Sequence, residues 1–290
     1  MDREEDQMPS RSHPTQRQRR LGIELRKLRE AAGLSAQDAG ALINIKAYQV
    51  SHLEAGRVGI TPGRLRTLAC NYGCANESFV DALVKLADER DKGWWEEYRG
   101  SLPPGYLDIA ELEDGARKMR TSSSVHIPGL LQTEDHARAI FEEAVQPLPA
   151  REVELRLAHR MRRQAVLDQK EPPELDVIIH EAALRMQFGG RKAALAQLEH
   201  LLAVTERDHV RIRVLPFAAG GFPGAGQTVF YAYGAVSQLD TVQLDAAHTT
   251  VFLTAEHQLE NYRSLFERAE RKTLSLKQSR ELIHAVAKEV

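Results

Sequence analysis

The 290-residue chain contains no apolar run approaching the ~18 residues that a membrane-spanning helix needs. Its first twenty residues, MDREEDQMPSRSHPTQRQRR, hold no apolar core, so no secretory signal is expected there, and a cytoplasmic location is the default. Cysteine is scarce: only Cys70 and Cys74 occur. Their i,i+4 spacing puts both on one helix face, where they are expected as small buried residues in a reducing compartment. A metal site would need two further ligands at matching spacing, and none is near them in sequence. No histidine pair flanks a glutamate at i,i+4, and no Gly-x-Ser-x-Gly occurs, so the sequence offers no zinc-hydrolase helix and no nucleophile elbow. Gly221–Thr228 (GFPGAGQT) is a near miss of the phosphate-binding loop. Its lysine position is Gln227, and the following VFYAY is strand-like where a helix N-terminus must hold the anion. We therefore expect no catalysis, no cofactor and no metal.

The net charge of -2 hides an asymmetry. From Arg11 to Tyr72, eleven Lys/Arg stand against four acids, a balance of +7, which leaves -9 for the remainder. A basic module joined to an acidic one suits a nucleic-acid partner for the first and a protein or small-molecule partner for the second.

The basic segment is strongly patterned. Residues 1–16 are polar and aperiodic, expected as a disordered tail. Arg17, Arg19 and Arg20 follow, read either as a solvated arm or as an arm on DNA phosphates. Leu21, Leu25 and Leu28 give a helical period that Gly33 ends. Ser35 caps a second helix, Ala36 to about Leu42, whose small interior (Ala39, Gly40, Ala41) lets another helix cross closely. Asn44 falls in a turn. A third helix, about Ala47–Ala55, turns Val50 and Leu53 inward and Tyr48, Gln49, Ser51 and His52 outward. That polar side suits base reading in the major groove. Thr61-Pro62 and Asn76 start two more helices, the last running to about Asp91.

Leu34-Ser35, the small-residue helix and Val50-Ser51-His52-Leu53-Glu54-Ala55-Gly56-Arg57 together resemble the Cro/CI-like (XRE) family of helix-turn-helix regulators. The resemblance implies a five-helix DNA-binding domain over residues 17–92. Within it, Lys46, Ala47, Tyr48 and Gln49 open the recognition helix, Ser51 and His52 lie on its DNA side, and Arg57 meets a phosphate. Glu54 has a structural role. Relatives often place a phosphate-binding Gln directly after the cap of helix two. Here Ala36 holds that position, leaving Ser35 and Gln37 as the candidates. Lys46 replaces the usual Ser/Thr cap.

Residues 93–290 read as a separate α+β domain with a small mixed sheet. An amphipathic helix is expected around Ile109–Met119, then a turn HIPGLLQT leading into a helix through Phe141. A helix over Glu152–Leu167 carries an arginine-rich face, solvated or anion-binding. Strands are expected at 175–179, 210–216, 228–233, 241–244 and 249–253. Helices are expected at 192–206, 255–269 and 275–288. Trp94 and Trp95, the only tryptophans, read as packing at a junction, with a ligand platform as the alternative. His180, after a buried strand, reads as structural, with a pocket position as the alternative. IPGLLQT, HEAALRMQFGG, VLPFAAGGFPG and LSLKQSRELI together resemble actinobacterial XRE-type regulators with an uncharacterised C-terminal domain, similar to antitoxin-like members of toxin–antitoxin pairs. The resemblance implies a regulator of a double-stranded DNA operator. A dimer is expected because paired half-sites multiply a modest single-module affinity. The second half is expected to hold either a small protein encoded nearby or a small molecule, in a pocket lined by Trp94, Trp95 or the Gly-rich loop.

Overall fold

A computed structural model describes residues 14–88, 93–246 and 249–290. Residues 1–13 of the expected tail, the expected last turn of helix five up to Asp91, and His248 lie outside the described residues. The chain divides into two compact units, Met1–Glu96 and Glu97–Val290.

The first unit is helical: α1 (Gln16–Ala31), α2 (Ala36–Leu42), α3 (Ala47–Glu54), α4 (Pro62–Asn71) and α5 (Glu77–Ala87). Four helices start where a side-chain oxygen accepts an otherwise orphaned N–H: Thr15 from Gln18, Ser35 from Asp38, Thr61 from Arg64, Asn76 from Phe79. Lys46 has no oxygen to offer at the start of α3. Instead the Gln49 Oε1 accepts from the Lys46 N–H at 2.8 Å. Leu21, Leu25, Val50, Leu53, Leu65, Leu68 and Leu83 are buried as the core. The small residues of α2 have the expected use. A Cβ at Gly40 would overlap the Ile45 carbonyl oxygen, so the α2–α3 turn closes only over glycine.

Two expectations are corrected. The helical segment begins at Gln16, because Thr15 and Gln18 form a reciprocal capping box, so Arg17, Arg19 and Arg20 belong to α1 rather than to an arm before it. The cysteines are not a buried pair on one helix face. Gly73, at φ +71°, turns the chain out of α4, leaving Cys70 exposed on the helix and Cys74 half-buried beyond it.

The second unit is built on six strands: β1 (Lys118–Ser123), β2 (Glu174–His180), β3 (Val210–Leu215), β4 (Val229–Tyr233), β5 (Thr241–Ala246) and β6 (Thr249–Leu253). Their order is β3-β2-β1-β4-β5-β6. The β3-β2-β1 half is parallel and the remainder is antiparallel, so strand direction reverses between β1 and β4. The helices are α6 (Pro104–Asp114), α7 (Glu134–Glu142), α8 (Ala150–Arg163), α9 (Glu181–Arg185), α10 (Gly190–Val204), α11 (Glu256–Glu270) and α12 (Leu276–Glu289). One sheet face, including Met119, Val177, Ile212 and Phe230, shares a core with Leu198 and Leu201 of α10 and Ile283 and Val286 of α12. The opposite face, with Ile178, Tyr231 and Val242, packs on Leu259 and Phe266 of α11. Helices thus cover both faces, as burial of a two-sided sheet requires. The expected class, a helical first part and an α+β second part with a mixed sheet, is the one observed.

The helix expected at Ile109–Met119 ends at Asp114, with Gly115 as its cap, and Met119 lies in β1. The polar sequence KMRTSS gave no strand signal. It becomes a central strand because β2 and β4 pair with it on either side, which buries Thr121, Ser122 and Ser123.

At the β3 edge, the backbone of Val214 is satisfied by the entry to α12. Its N–H donates to the Ser279 Oγ at 2.9 Å, and its carbonyl accepts from the Leu274 N–H at 2.9 Å. Ser279 is fully buried. Ser279→Ala is therefore expected to cost about 1–3 kcal/mol, the penalty of a buried unsatisfied N–H. In urea denaturation the midpoint should fall with m unchanged.

Candidate nucleic-acid interface

Helix α3 has two sides. Val50 and Leu53 are buried, whereas Ala47, Tyr48 and Ser51 are exposed on one arc, with half-buried His52 beside them. Tyr48 is 52 % exposed, and its ring meets the His52 ring edge-on at 5.9 Å. Gln49 borders this arc half-buried, its carbonyl committed to the Lys46 cap. Ser51 Oγ donates back to the Ala47 carbonyl at 3.3 Å. A short helix with an aromatic, an imidazole and hydroxyls on its outer side presents mixed donors and acceptors, the chemistry that base edges require.

What aims that arc is an ion pair. Arg29 of α1 donates Nε and NH2 to the two Glu54 carboxylate oxygens at 2.5 and 2.9 Å, with both side chains about one-tenth exposed. The third donor, NH1, reaches the Leu34 carbonyl at 2.7 Å. The Glu54 hydrogen bond leads in raising the Arg29 pKa. Tyr72 is pushed up to about 12, by burial and then by the Glu54 charge, and stays a neutral phenol. The structural role expected of Glu54 thus has a partner, which spacing alone could not name.

The start of α2 is already occupied by an anion. Ser35 Oγ donates to the Asp38 carboxylate at 2.6 Å, and the Ser35 N–H donates to the same oxygen at 3.0 Å. These bonds hold the Asp38 pKa below the usual carboxylate range. Ser35 is therefore engaged as a cap, with its hydroxyl proton given to Asp38. Gln37 is exposed one residue away.

The arginines of α1 divide. Arg20 is buried with Glu24, NH2 to Oε1 3.3 Å, which removes it from any contact with a phosphate. Arg17 NH2 donates to the Asp88 carbonyl at 3.3 Å, and exposed Arg19 donates to Gln16 at 3.4 Å. Their helical placement was legible in Thr15-x-x-Gln18, a capping-box spacing that sequence reading passed over. Among the described residues, Arg26, Lys27 and Arg66 pair with Glu30, Glu24 and Asp81, whereas exposed Lys46, Arg57 and Arg64 have no carboxylate partner. Arg64, absent from the sequence-based candidates, joins Lys46 and Arg57 as an uncompensated cation. The three stand at the start of α3, just past its end, and in the first turn of α4, suited to phosphates.

Trp94 and Trp95 stack edge-on at 6.0 Å at the end of the first unit, with Trp95 buried beside Gly93. His180 caps α9, its Nδ1 accepting from the Ala182 N–H at 3.2 Å, between the rings of Phe217 and Phe222. Each thus has a local packing or capping function. The Gly-rich near miss is a loop followed by β4, the strand that VFYAY predicted, where a phosphate-binding loop leads into a helix.

Comparison with known families matches residues 20–83 to a helix-turn-helix domain and residues 106–285 to a family described as Domain of unknown function (DUF5753). No curated protein and no solved structure matches the chain.

Glu54→Ala leaves the nearly buried Arg29 guanidinium with only the exposed Glu30 carboxylate, 3.7 Å away, and a loss of about 3 kcal/mol is expected. The double change Arg29→Met with Glu54→Leu should restore most of it, because the pair's desolvation cost vanishes along with its attraction. Chemical denaturation of the three variants measures both. An additive double mutant would mean that the two groups are not coupled.

Proposed function

The chain belongs to the family described as Domain of unknown function (DUF5753), and we propose that it is a sequence-specific transcriptional regulator of the Cro/CI-like (XRE) type. The observation that carries this role is α3: an outward polar arc, pinned by Arg29–Glu54 and flanked by the uncompensated cations Lys46, Arg57 and Arg64. Tyr48, His52 and Ala47 read bases, and the cations meet phosphates. Gln49 both caps the helix and borders the groove. A homodimer on a palindromic or repeated operator follows from energetics. A single module of this size buries little surface, and paired half-sites multiply its modest affinity. The second unit is the responsive half, and the proposed role is binding rather than catalysis. Among the described residues no helix is long and apolar enough to cross a membrane. We place the regulator in the cytoplasm with its DNA.

A second reading is antitoxin-like: the second unit holds a small protein encoded by a neighbouring gene. Its support is the resemblance of the second half to antitoxin-like regulators, since only -3 of the -9 outside the basic segment falls on residues 97–290 (24 Lys/Arg against 27 Asp/Glu). Co-expression with the neighbouring gene product and recovery of a stoichiometric complex tests this. Separate elution of the two proteins would dismiss it.

Operator binding, read by fluorescence anisotropy on sites selected from random DNA, separates the α3 roles. Tyr48→Ala should lose about 1–3 kcal/mol of discrimination between the operator and unrelated DNA. Gln49→Glu keeps an acceptor for the Lys46 N–H while altering the groove-facing chemistry, so it should change base preference without loss of fold. Arg57→Ala should weaken binding to all sequences alike and lower the salt slope by about 1. Unchanged specificity in both the Tyr48 and the Gln49 variants would remove α3 as the reading helix.

A further inference from the structure

The two inward arginines at the end of α8 are unequally compensated. Arg163 donates to both Glu113 oxygens, at 2.8 and 2.5 Å, and Glu113 is 2 % exposed. Burial pulls the Arg163 pKa down, but the Glu113 charge and hydrogen bonds more than reverse it, leaving it raised. Arg160, three residues earlier, has no carboxylate within ion-pairing distance among the described residues. Its NH1 donates to the Gln132 Oε1 at 2.7 Å, its guanidinium lies 4.2 Å over the Phe141 ring, and its buried Nε has no acceptor. Burial, and then Arg163, push the Arg160 pKa down to about 10, so it remains a cation at pH 7.

Two carboxylates, Asp245 and then Glu113, act on Arg160 through space without pairing with it. Asp245 is exposed at the rim and accepts from the Gln243 Nε2 at 2.5 Å rather than from an arginine. Burial leads in lowering the pKa of three nearby histidines: His136 to about 4, His159 to about 3, and His126 below its usual value. His136 and His159 are therefore neutral at pH 7.

Arg160 lines a cavity of about 220 Å³ between α6, α8 and the sheet. Its floor is the cross-strand row Thr121, Phe230 and Gln243, paired in register across β1, β4 and β5. Tyr106 and Ile109 of α6 form an apolar wall. The hydroxyls of Thr121 and Thr228, which also line the cavity, have no hydrogen-bond partner among the described residues. A cation without an ion-pair partner and two accessible hydroxyls without a protein partner among the described residues thus line one space with apolar walls, beside a buried Arg160 N–H that has no acceptor. Buried polar groups are ordinarily satisfied, and those left open at a cavity mark where a ligand supplies the missing partner.

We propose that this cavity binds a small organic oxyanion, its carboxylate or phosphate gripped by Arg160 and the Thr121 and Thr228 hydroxyls, its apolar body against Tyr106, Ile109 and Phe230. The guanidinium fork suits either head group. The site names the ligand class of the proposed responsive half, yet it stands whether or not the first unit reads DNA.

The test uses the full chain with benzoate, phenylacetate and phenyl phosphate as probes, each against its uncharged amide or alcohol, and inorganic phosphate as the bodiless control. Thermal melting should rise by roughly 5–10 °C when a fitting anion is present at about 100 times its Kd, and not with the uncharged partner. Calorimetric titration then ranks carboxylate against phosphate. Arg160→Met should weaken binding by roughly a hundredfold; because it also strands the buried Gln132 Oε1, binding is compared well below the melting temperature of the free variant. Thr121→Val, which keeps the volume, should weaken binding about tenfold. Equal stabilisation by the uncharged partners, an undiminished response in Arg160→Met, or no response to any of the anions overturns the site. Operator binding measured on the same preparations keeps the two roles separable. A chain that takes the anion but no operator refutes only the regulator, and the converse refutes only this pocket.

Discussion

Arg29 and Glu54 fix the first unit's geometry. One guanidinium, on α1, spends two donors on the last residue of α3 and a third on the Leu34 carbonyl in the α1–α2 turn. Bidentate geometry defines direction as well as distance, so α3 is held in orientation about its own axis. With both groups nearly buried, the pair adds little net stability over apolar residues of the same shape, but loss of either partner is expensive. It therefore acts as a registration device, deciding which arc of α3 faces outward. Tyr48, Ser51 and His52 lie on that arc because Glu54 is turned in.

In the second unit, buried cationic chemistry is handled in the opposite way. Arg163 receives a full counter-ion from Glu113, whereas Arg160 receives an amide oxygen and an aromatic face. Both come from the same last turn of α8, so the difference arises in what the surrounding elements bring to them. The surroundings of Arg160 are assembled where parallel β1 meets antiparallel β4, since Thr121 and Phe230 are register partners across that junction. The reversal of strand direction and the cavity thus share one location.

Local signals were legible where the chemistry is local. Ser35, Thr61, Asn76 and Ser275 all cap helices that start where their sequence spacing places them. Gly40 and Val50–Gly56 behave as a tight turn and a two-sided helix should. Two local signals were passed over: Thr15-x-x-Gln18, which starts α1 ahead of its arginines, and Gly115, which ends α6 before Met119. β1 was illegible for a deeper reason. Lys118–Ser123 carries no apolar alternation, since its burial comes from two neighbouring strands that arrive from residues 174–180 and 229–233.

By itself the sequence determined the starts of α2, α4, α5 and α12, the two-sided character of α3, the split of charge along the chain, and the class of a helical first part followed by an α+β second part. The helix starts and the two faces of α3 depend on residues within a few positions of one another, through capping and periodicity, and the charge split and fold class on composition and pattern along the chain. Only the tertiary structure decided which charges remain uncompensated. Arg20 and Arg57 are alike in the sequence, yet one is buried against Glu24 and the other is exposed with no carboxylate partner among the described residues. Arg160 and Arg163 stand three residues apart, yet Glu113, fifty residues away, finds only the second. Coulomb attraction acts through space at a few ångströms, and the fold alone sets which carboxylate lies that close to which cation.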